Sequence, residues 1–312
     1  MSLDYSILIL NYNGDFVLKR SIDHTLKMMD QCSLLGELII VDNNSSDESR
    51  KIIKDYNNKI VPFLLNENLV LCAYNQAFNI AKGKILILLN NDEFIQENYI
   101  QNLIENFSKN TNLFLAVPKS IDEDSLEYQS GLIDADIKFG HILLKHSFTE
   151  SEIDKRRSLP FGSLGAYCKD KLKLVGGFEK LLLPFYWEDV DLSYRARKIG
   201  FDIIYEPSAV TKHINQATIS KFDRSFVIAT NRRNKLLFFW LNVTDLNLWI
   251  YHILYFPFFL LKSLFVDKTL DYIKALTFGV NNFSEIYKEK QKRSKVFKLS
   301  DMNILLKKTN ND

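Results

Sequence analysis

Three carboxylates fall within four residues at Glu188, Asp189 and Asp191, directly after the aromatic run Phe185-Tyr186-Trp187. Val190, Tyr194 and Ala196 then recur at roughly helical spacing and Gly200 supplies a stop, so the acids open a helix. Acids in a first turn complement the helix dipole. A carboxylate held beside aromatic rings at the lip of a cleft can also act as a general base. The two environments pull its pKa in opposite directions, because the helix N-terminus favours the charged form and shielding by Tyr186 and Trp187 disfavours it. A second constellation is the set of polar triplets Asn11-Tyr12-Asn13, Asp42-Asn43-Asn44 and Asn90-Asn91-Asp92. Their amides and carboxylates suit hydrogen bonding to a nucleotide or holding a hard cation, although Asn and Asp are also ordinary loop residues.

The elements that must position these groups are legible as apolar runs. Residues 5–10, 38–41, 60–65, 85–89 and 113–117 read as strands buried on both faces. Between them, Phe16, Leu18, Ile22, Leu26 and Met29 recur at helical spacing, Ser46 is placed to cap a helix through Ile52 and Ile53, Tyr74, Phe78 and Ala81 mark a helix ending at Gly83, and another covers 99–107. This alternation to about residue 118 predicts a doubly wound α/β sheet, whose ligands bind beyond the carboxyl ends of the strands. Three of those ends carry the polar triplets.

From 119 to 160 the pattern fades into loops and antiparallel edge strands, with His141 and His146 read as incidental for lack of a partner at ligand spacing. Gly162, Gly165, Gly176 and Gly177 allow backbone to approach a ligand closely. Residues 202–205 and 209–211 read as two further strands, the second running into Lys212-His213.

The three cysteines are scattered without a CxxC pair, which argues against structural zinc and for a reducing compartment. The start, Met1 to Tyr5, carries an acid and leads into a strand, so no signal peptide is expected. A net charge of +2 speaks against a nucleic-acid binder. Residues 236–241 and 248–266 are strongly apolar, the second run interrupted by His252, Pro257, Lys262 and Ser263. That pattern predicts a helix lying in a membrane interface, with a packed or oligomerising hairpin, and then a true membrane span, as the alternatives. Eight Lys or Arg follow Asn282 (Lys288, Lys290, Lys292, Arg293, Lys295, Lys298, Lys307 and Lys308), a tail suited to an anionic surface.

The segments SILILNYNG (6–14), ELIIVDNNSSDES (37–49), NENLVLCAYNQAFNIAKGKILILLNNDEF (66–94), GGF (176–178) and FYWEDVDLSYRARKIGFDIIYEPSAVTKH (185–213) together resemble family 2 of the inverting glycosyltransferases, in particular its rhamnosyltransferase-like members of polysaccharide and O-antigen assembly. The resemblance implies the GT-A fold: a doubly wound, mostly parallel nucleotide-binding sheet (about 1–118), a small antiparallel acceptor-side region (about 119–218), and C-terminal apolar helices with a basic tail over 219–312 that associate with membrane or form oligomers. It implies transfer of a sugar from a nucleotide-diphosphate-sugar, UDP or dTDP linked, to a glycan or lipid-linked acceptor. The setting would be the cytoplasm, peripheral on the inner face of the cell membrane. Asp42 would contact the base with help from the Asn11 and Tyr12 backbone, and Asn13, Asn44, Asn68, Asn75 and Asn91 would complete the nucleotide site. Asp92 stands where the family's metal motif ends and His213 at a position completing a Mn²⁺ or Mg²⁺ site. Asp189 would be the catalytic base, with Glu188, Asp191 and Trp187 in acceptor-side support. Two departures stand out: Val70-Leu71-Cys72-Ala73 replaces expected glycines, and the metal motif holds a single acid. A sugar nucleotidyltransferase and a non-catalytic assembly subunit are the competing readings; Asn11-Tyr12-Asn13-Gly14-Asp15 lacks the glycine-rich basic loop the first would need.

Overall fold

The computed structural model describes residues 3–56, 58–145, 147–214 and 223–305. The strands are β1 (Tyr5–Asn11), β2 (Gly36–Asp42), β3 (Val61–Leu64), β4 (Ile85–Asn90), β5 (Glu93–Ile95), β6 (Leu113–Asp122), β7 (Tyr128–Ser130), β8 (Asp134–Lys138), β9 (His141–Lys145), β10 (Arg157–Ser158), β11 (Ala166–Cys168) and β12 (Asp202–His213). The helices are α1 (Asp15–Asp30), α2 (Ser49–Asp55), α3 (Ala73–Ala77), α4 (Tyr99–Lys109), α5 (Glu150–Ile153), α6 (Lys169–Val175), α7 (Glu188–Ile199), α8 (Arg224–Asn242), α9 (Leu246–Phe265), α10 (Asp271–Asn281), α11 (Phe283–Ser294) and α12 (Asp301–Leu305).

The continuous apolar strands form the interior of a sheet ordered β10-β12-β6-β11-β4-β1-β2-β3, with β5 added on β12 and β7 on β6. β4, β1, β2 and β3 pair in parallel, β12 pairs in parallel with β6, and the short β11 runs antiparallel between β4 and β6. β4 and β6 therefore point the same way. The carboxyl ends of β4, β1 and β2 lie side by side, with Leu10 opposite Asn90 and Asn11 opposite Asp42. The sheet is buried by helices on both faces, one face against α3 and α6, the other against α1 and α4.

Two sequence expectations need correction. Residues 202–205 and 209–211 are one strand, β12, interrupted by a register shift between Glu206 and Val210. Pro207 lies inside that interval and has no N–H for the ladder, so the pattern breaks without ending the strand. Ser46 does not cap α2; its N–H donates to Asn13 Oδ1, and Asp47 accepts from the backbone of Ser49 where the helix begins. In the region 219–312, α8 and residues of α9, α11 and α12 share a core cluster with Phe161, Trp187, Val190 and Tyr194. The expected boundary near 218, and His146, lie outside the described residues. His141 is buried against His252 and Phe259.

Candidate active site

The polar strand ends form one hydrogen-bonded edge. Asn11 is fully buried; its amide donates to Asp42 Oδ1 at 3.3 Å and Ser45 Oγ at 3.2 Å, and its Oδ1 accepts from Asn91 at 2.7 Å. Gly14 is required for that last contact, since a Cβ there would sit 2.1 Å from Asn91 Nδ2. Asp42 is also fully buried, its other oxygen taken by Arg50 Nε at 2.8 Å and the Ser45 amide at 3.2 Å. Arg50, half exposed, binds the Leu65 carbonyl and Asn44 as well, a member of this edge that the sequence reading did not single out. Asn13, in left-handed backbone at φ 48°, receives Ser46 and gives its own N–H to Ser45. What the edge presents outward is Tyr12, 43% exposed, and Asn44, also in the left-handed region.

Two residues predicted at the nucleotide are used elsewhere. Asn68 accepts from Asn43 and from the Val70 amide, shaping the loop after β3. Asn75 is bound at both ends to Phe178, donating to its carbonyl and accepting from its amide, each at 2.8 Å. Gly177 lies close under it, where a Cβ would meet Asn75 Oδ1 at 2.4 Å. Asn75 thus ties the loop at Gly176-Gly177-Phe178 to the donor half. Val70 holds φ 48°, a conformation that β-branched residues rarely adopt and glycine takes freely, at the place where glycines are expected.

Asp92 and His213 meet with Nε2 and Oδ2 3.3 Å apart. The short strand β5, beyond the reach of periodicity at three residues, creates this meeting: it pairs antiparallel with the end of β12, placing Glu93 opposite His213. Gln129 lies 2.9 Å from the other ring nitrogen. With Nδ1–H donated to Gln129, Nε2 donates to the carboxylate when protonated and has a lone pair to give a cation when not, the arrangement of a supported metal-ligating histidine. The hydrogen bond to Asp92 raises the His213 pKa against the opposing effect of burial. Burial pushes neighbouring Glu93 up to about 7. One carboxylate and one imidazole suit Mn²⁺ or Mg²⁺ completed by ligand oxygens; among the described residues no third acid, thiol or histidine joins them as a metal cluster.

The acids Glu188, Asp189 and Asp191 do begin a helix, α7, as expected, but the chain enters it through strain. Tyr186 at φ 71° and Trp187 at φ 75° are consecutive left-handed aromatic residues, a costly arrangement that surrounding contacts must enforce. Asn234 of α8 enforces it: fully buried, it donates to the carbonyls of Leu182, Phe185 and Tyr186. Asn231, one turn earlier, accepts from the Trp187 indole at 2.9 Å.

The three acids divide by environment. Asp191 is fully buried between Arg195 and Arg293, whose charges outweigh desolvation and hold its carboxyl below the usual range. It anchors α7. Burial pushes Asp189 up to about 6, so shielding prevails over the helix terminus, and its carboxylate accepts from the Val190 amide at 2.8 Å. Glu188 is driven up by burial and then by the Asp189 charge, and its Oε2 is buried without a partner among the described residues. Burial keeps the Tyr167 phenol protonated far above its ordinary range, and the Asp189 charge adds to this, which places Asp189 within electrostatic reach of β11, the strand beside β4.

The glycosyl transferase family 2 model matches residues 6–168, which takes in the donor edge and stops before α7. No curated protein matches the chain. Among solved structures, it is similar to GalNAc-T7 with UDP, GalNAc and Mn²⁺, at 19% identity and TM-score 0.62 over 77% of this chain and 48% of that one. It is also similar to the mannosyltransferase PcManGT from Pyrobaculum calidifontis in complex with GDP-Man and Mn²⁺, at 13% identity and TM-score 0.52 over 77% of this chain and 64% of that one. The chain therefore spans about half the length of the first structure. The likeness is one of fold, the mostly parallel GT-A arrangement expected from the resemblance.

Proposed function

Since the chain belongs to glycosyl transferase family 2, we propose that it transfers a hexosyl or deoxyhexosyl group, with inversion, from a nucleotide-diphosphate-sugar to a glycan or lipid-linked glycan of cell-surface polysaccharide such as O-antigen. The reaction is placed in the cytoplasm at the inner face of the cell membrane. The observation that carries the proposal is the Asp92–His213 pair, set at the sheet edge that also bears Asn11, Asp42 and Asn91.

The nucleotide lies across Tyr12 and Asn44, with UDP or dTDP as the carrier, as the resemblance implies. Asp92 and His213 would hold Mn²⁺ or Mg²⁺, which would supply positive charge to offset that developing on the departing diphosphate. Asp189 removes the proton of the acceptor hydroxyl; the acceptor oxygen bonds to the anomeric carbon as the bond to the diphosphate oxygen breaks, and that electron pair leaves on the diphosphate. The carboxyl suits the task because burial raises its pKa toward the working pH while leaving it ionised at neutrality.

The test is incubation of the purified chain with Mn²⁺ or Mg²⁺ and a panel of UDP, dTDP and GDP sugars, with and without lipid-linked acceptors. Release of nucleoside diphosphate, abolished by EDTA, is expected. In a parallel assay with a nucleoside triphosphate and a sugar 1-phosphate, release of pyrophosphate would instead identify a nucleotidyltransferase, and no turnover in either assay would identify a non-catalytic subunit.

A further inference from the structure

α9 carries 20 residues with a single charge, Lys262, and is long and apolar enough to cross a bilayer, yet little of it is buried in the fold. Its inward face is a narrow stripe of Leu248, His252 and Ser263. Phe239 of α8 stacks on His252 at 4.2 Å, Trp240 donates to the same imidazole at 3.2 Å, and Tyr272 of α10 meets Phe256 and Phe259. The outward residues Leu246, Ile250, Leu254, Phe258, Leu261 and Phe265 are between 46% and 75% exposed. At roughly 100° per residue, these together with Tyr251, Ile253 and Tyr255 cover about 200° of the helix. The β8–β9 hairpin extends the surface: Phe139 at its tip is 58% exposed and packs on Tyr255 at 5.1 Å.

We propose that α9 lies in the plane of an anionic lipid surface, embedded along its outward face with the hairpin tip beside it. The contacts with α8, α10 and the hairpin run along the helix from Leu248 to Ser263, so a transmembrane orientation would strip them away. A second copy of the chain offers a flat partner and covers one side of a helix, whereas an apolar arc of about 200° needs a medium that closes around it. The charge agrees. Between residues 246 and 280 stand the three exposed lysines Lys262, Lys268 and Lys274 and two aspartates, Asp267 ion-paired to Lys262 and Arg232 and Asp271 to Arg232, so cations outnumber acids on this face. The predicted basic tail contributes less, since Arg293 is buried, Lys290 packs on Trp249, and Lys307 and Lys308 lie outside the described residues.

α8 connects this surface to the candidate site. Asn231 and Asn234 hold the loop before α7, and Phe239 and Trp240, one to two turns on, hold α9. α8 therefore links the lipid-facing helix α9 to the loop that leads into α7 and Asp189. This consequence rests on the proposed transfer to a lipid-linked acceptor: an acceptor head group at the membrane surface would meet the base without leaving the lipid.

The test is sedimentation of the full chain with phosphatidylcholine vesicles with and without phosphatidylglycerol. Wild type should pellet with the vesicles, more strongly with phosphatidylglycerol and less at high salt. The triple variant Leu254→Glu, Phe258→Glu, Leu261→Glu should lose partitioning by about tenfold or more, while Leu254→Met, Phe258→Met, Leu261→Met retains it. Donor hydrolysis in lipid-free buffer should be the same in all three proteins, which reports that the glutamate variant is folded. Wild type that never pellets, a glutamate variant that pellets equally, or a wild-type dimer that the glutamates dissociate would each overturn the proposal. Absence of donor hydrolysis in every protein would refute the transferase reading and leave the sedimentation result standing.

Discussion

The donor edge and the loop before α7 solve the same problem, fixing polar groups at the mouth of a sheet, by opposite means. At the donor edge the partners come from adjacent strands and their own loops: Asn11 to Asp42, Asn13 to Ser45, Asp42 to Arg50 eight residues on. At α7 they come from far along the chain. Asp191 is held by Arg293 of α11 at 2.6 Å and by Asn242 of α8 at 2.7 Å, and Lys198 is paired with Asp301 at 2.8 Å with neither side chain exposed. Asp301 also accepts from Tyr194 and from the Thr244 and Asp245 amides. The difference shows that the C-terminal helices are the scaffold of the candidate base. Removing them to test membrane attachment would dismantle the site as well.

The contrast can be broken from either side, and the largest effect lies at α7. Arg293→Met leaves Asp191 buried with one guanidinium fewer, and the expected loss is about 3–5 kcal/mol of stability, measured by denaturant unfolding; a loss within error would deny α11 its role. Asn234→Ala leaves three loop carbonyls without their donor and should destabilise by about 2–3 kcal/mol, while lowering kcat more than donor affinity. Arg50→Met at the donor edge frees one oxygen of Asp42 beside a half-exposed partner; about 1 kcal/mol is expected, read as weaker nucleotide binding with little change in unfolding. Equal damage from Arg50→Met and Arg293→Met would erase the distinction between the regions. The smallest effect is a gain: Val70→Gly relieves a left-handed β-branched residue at some cost in chain entropy, and about 0.5 kcal/mol of added stability is expected from thermal unfolding.

The same contrast explains what could be read from the sequence. β1, β2 and β4 are continuous apolar runs with polar ends, so both their burial and their adjacency follow from pattern. The acids of α7 were legible as a helix start because Gly200 and the periodicity mark its length. Their separate roles were not, since Asp191 differs from Asp189 only through Arg195 and Arg293, and Arg293, 102 residues away, looks in sequence like one more cation of a basic tail. Asn68 and Asn75 show the converse: an amide of the right type in the right segment can be consumed by the backbone it organises. β5 escaped because three residues carry no period, yet its pairing with β12 brings His213 to Asp92.

The central claim is that Asp189 is the base, and Asp189→Asn tests it through rate, pH profile and stability together. Wild-type transfer should fall as pH drops through about 6, where Asp189 gains its proton. The variant should retain donor binding and lose transfer by about 10²–10⁴. A carboxyl whose folded pKa is raised favours the folded state only while protonated, so wild-type stability from this group is lost as pH rises through about 6. The variant, with no charge to bury, should then be more stable than wild type by about 2 kcal/mol near pH 8. Slow transfer, intact donor binding and raised stability are the predicted result; an Asp189→Asn protein that transfers sugar at the wild-type rate would contradict it.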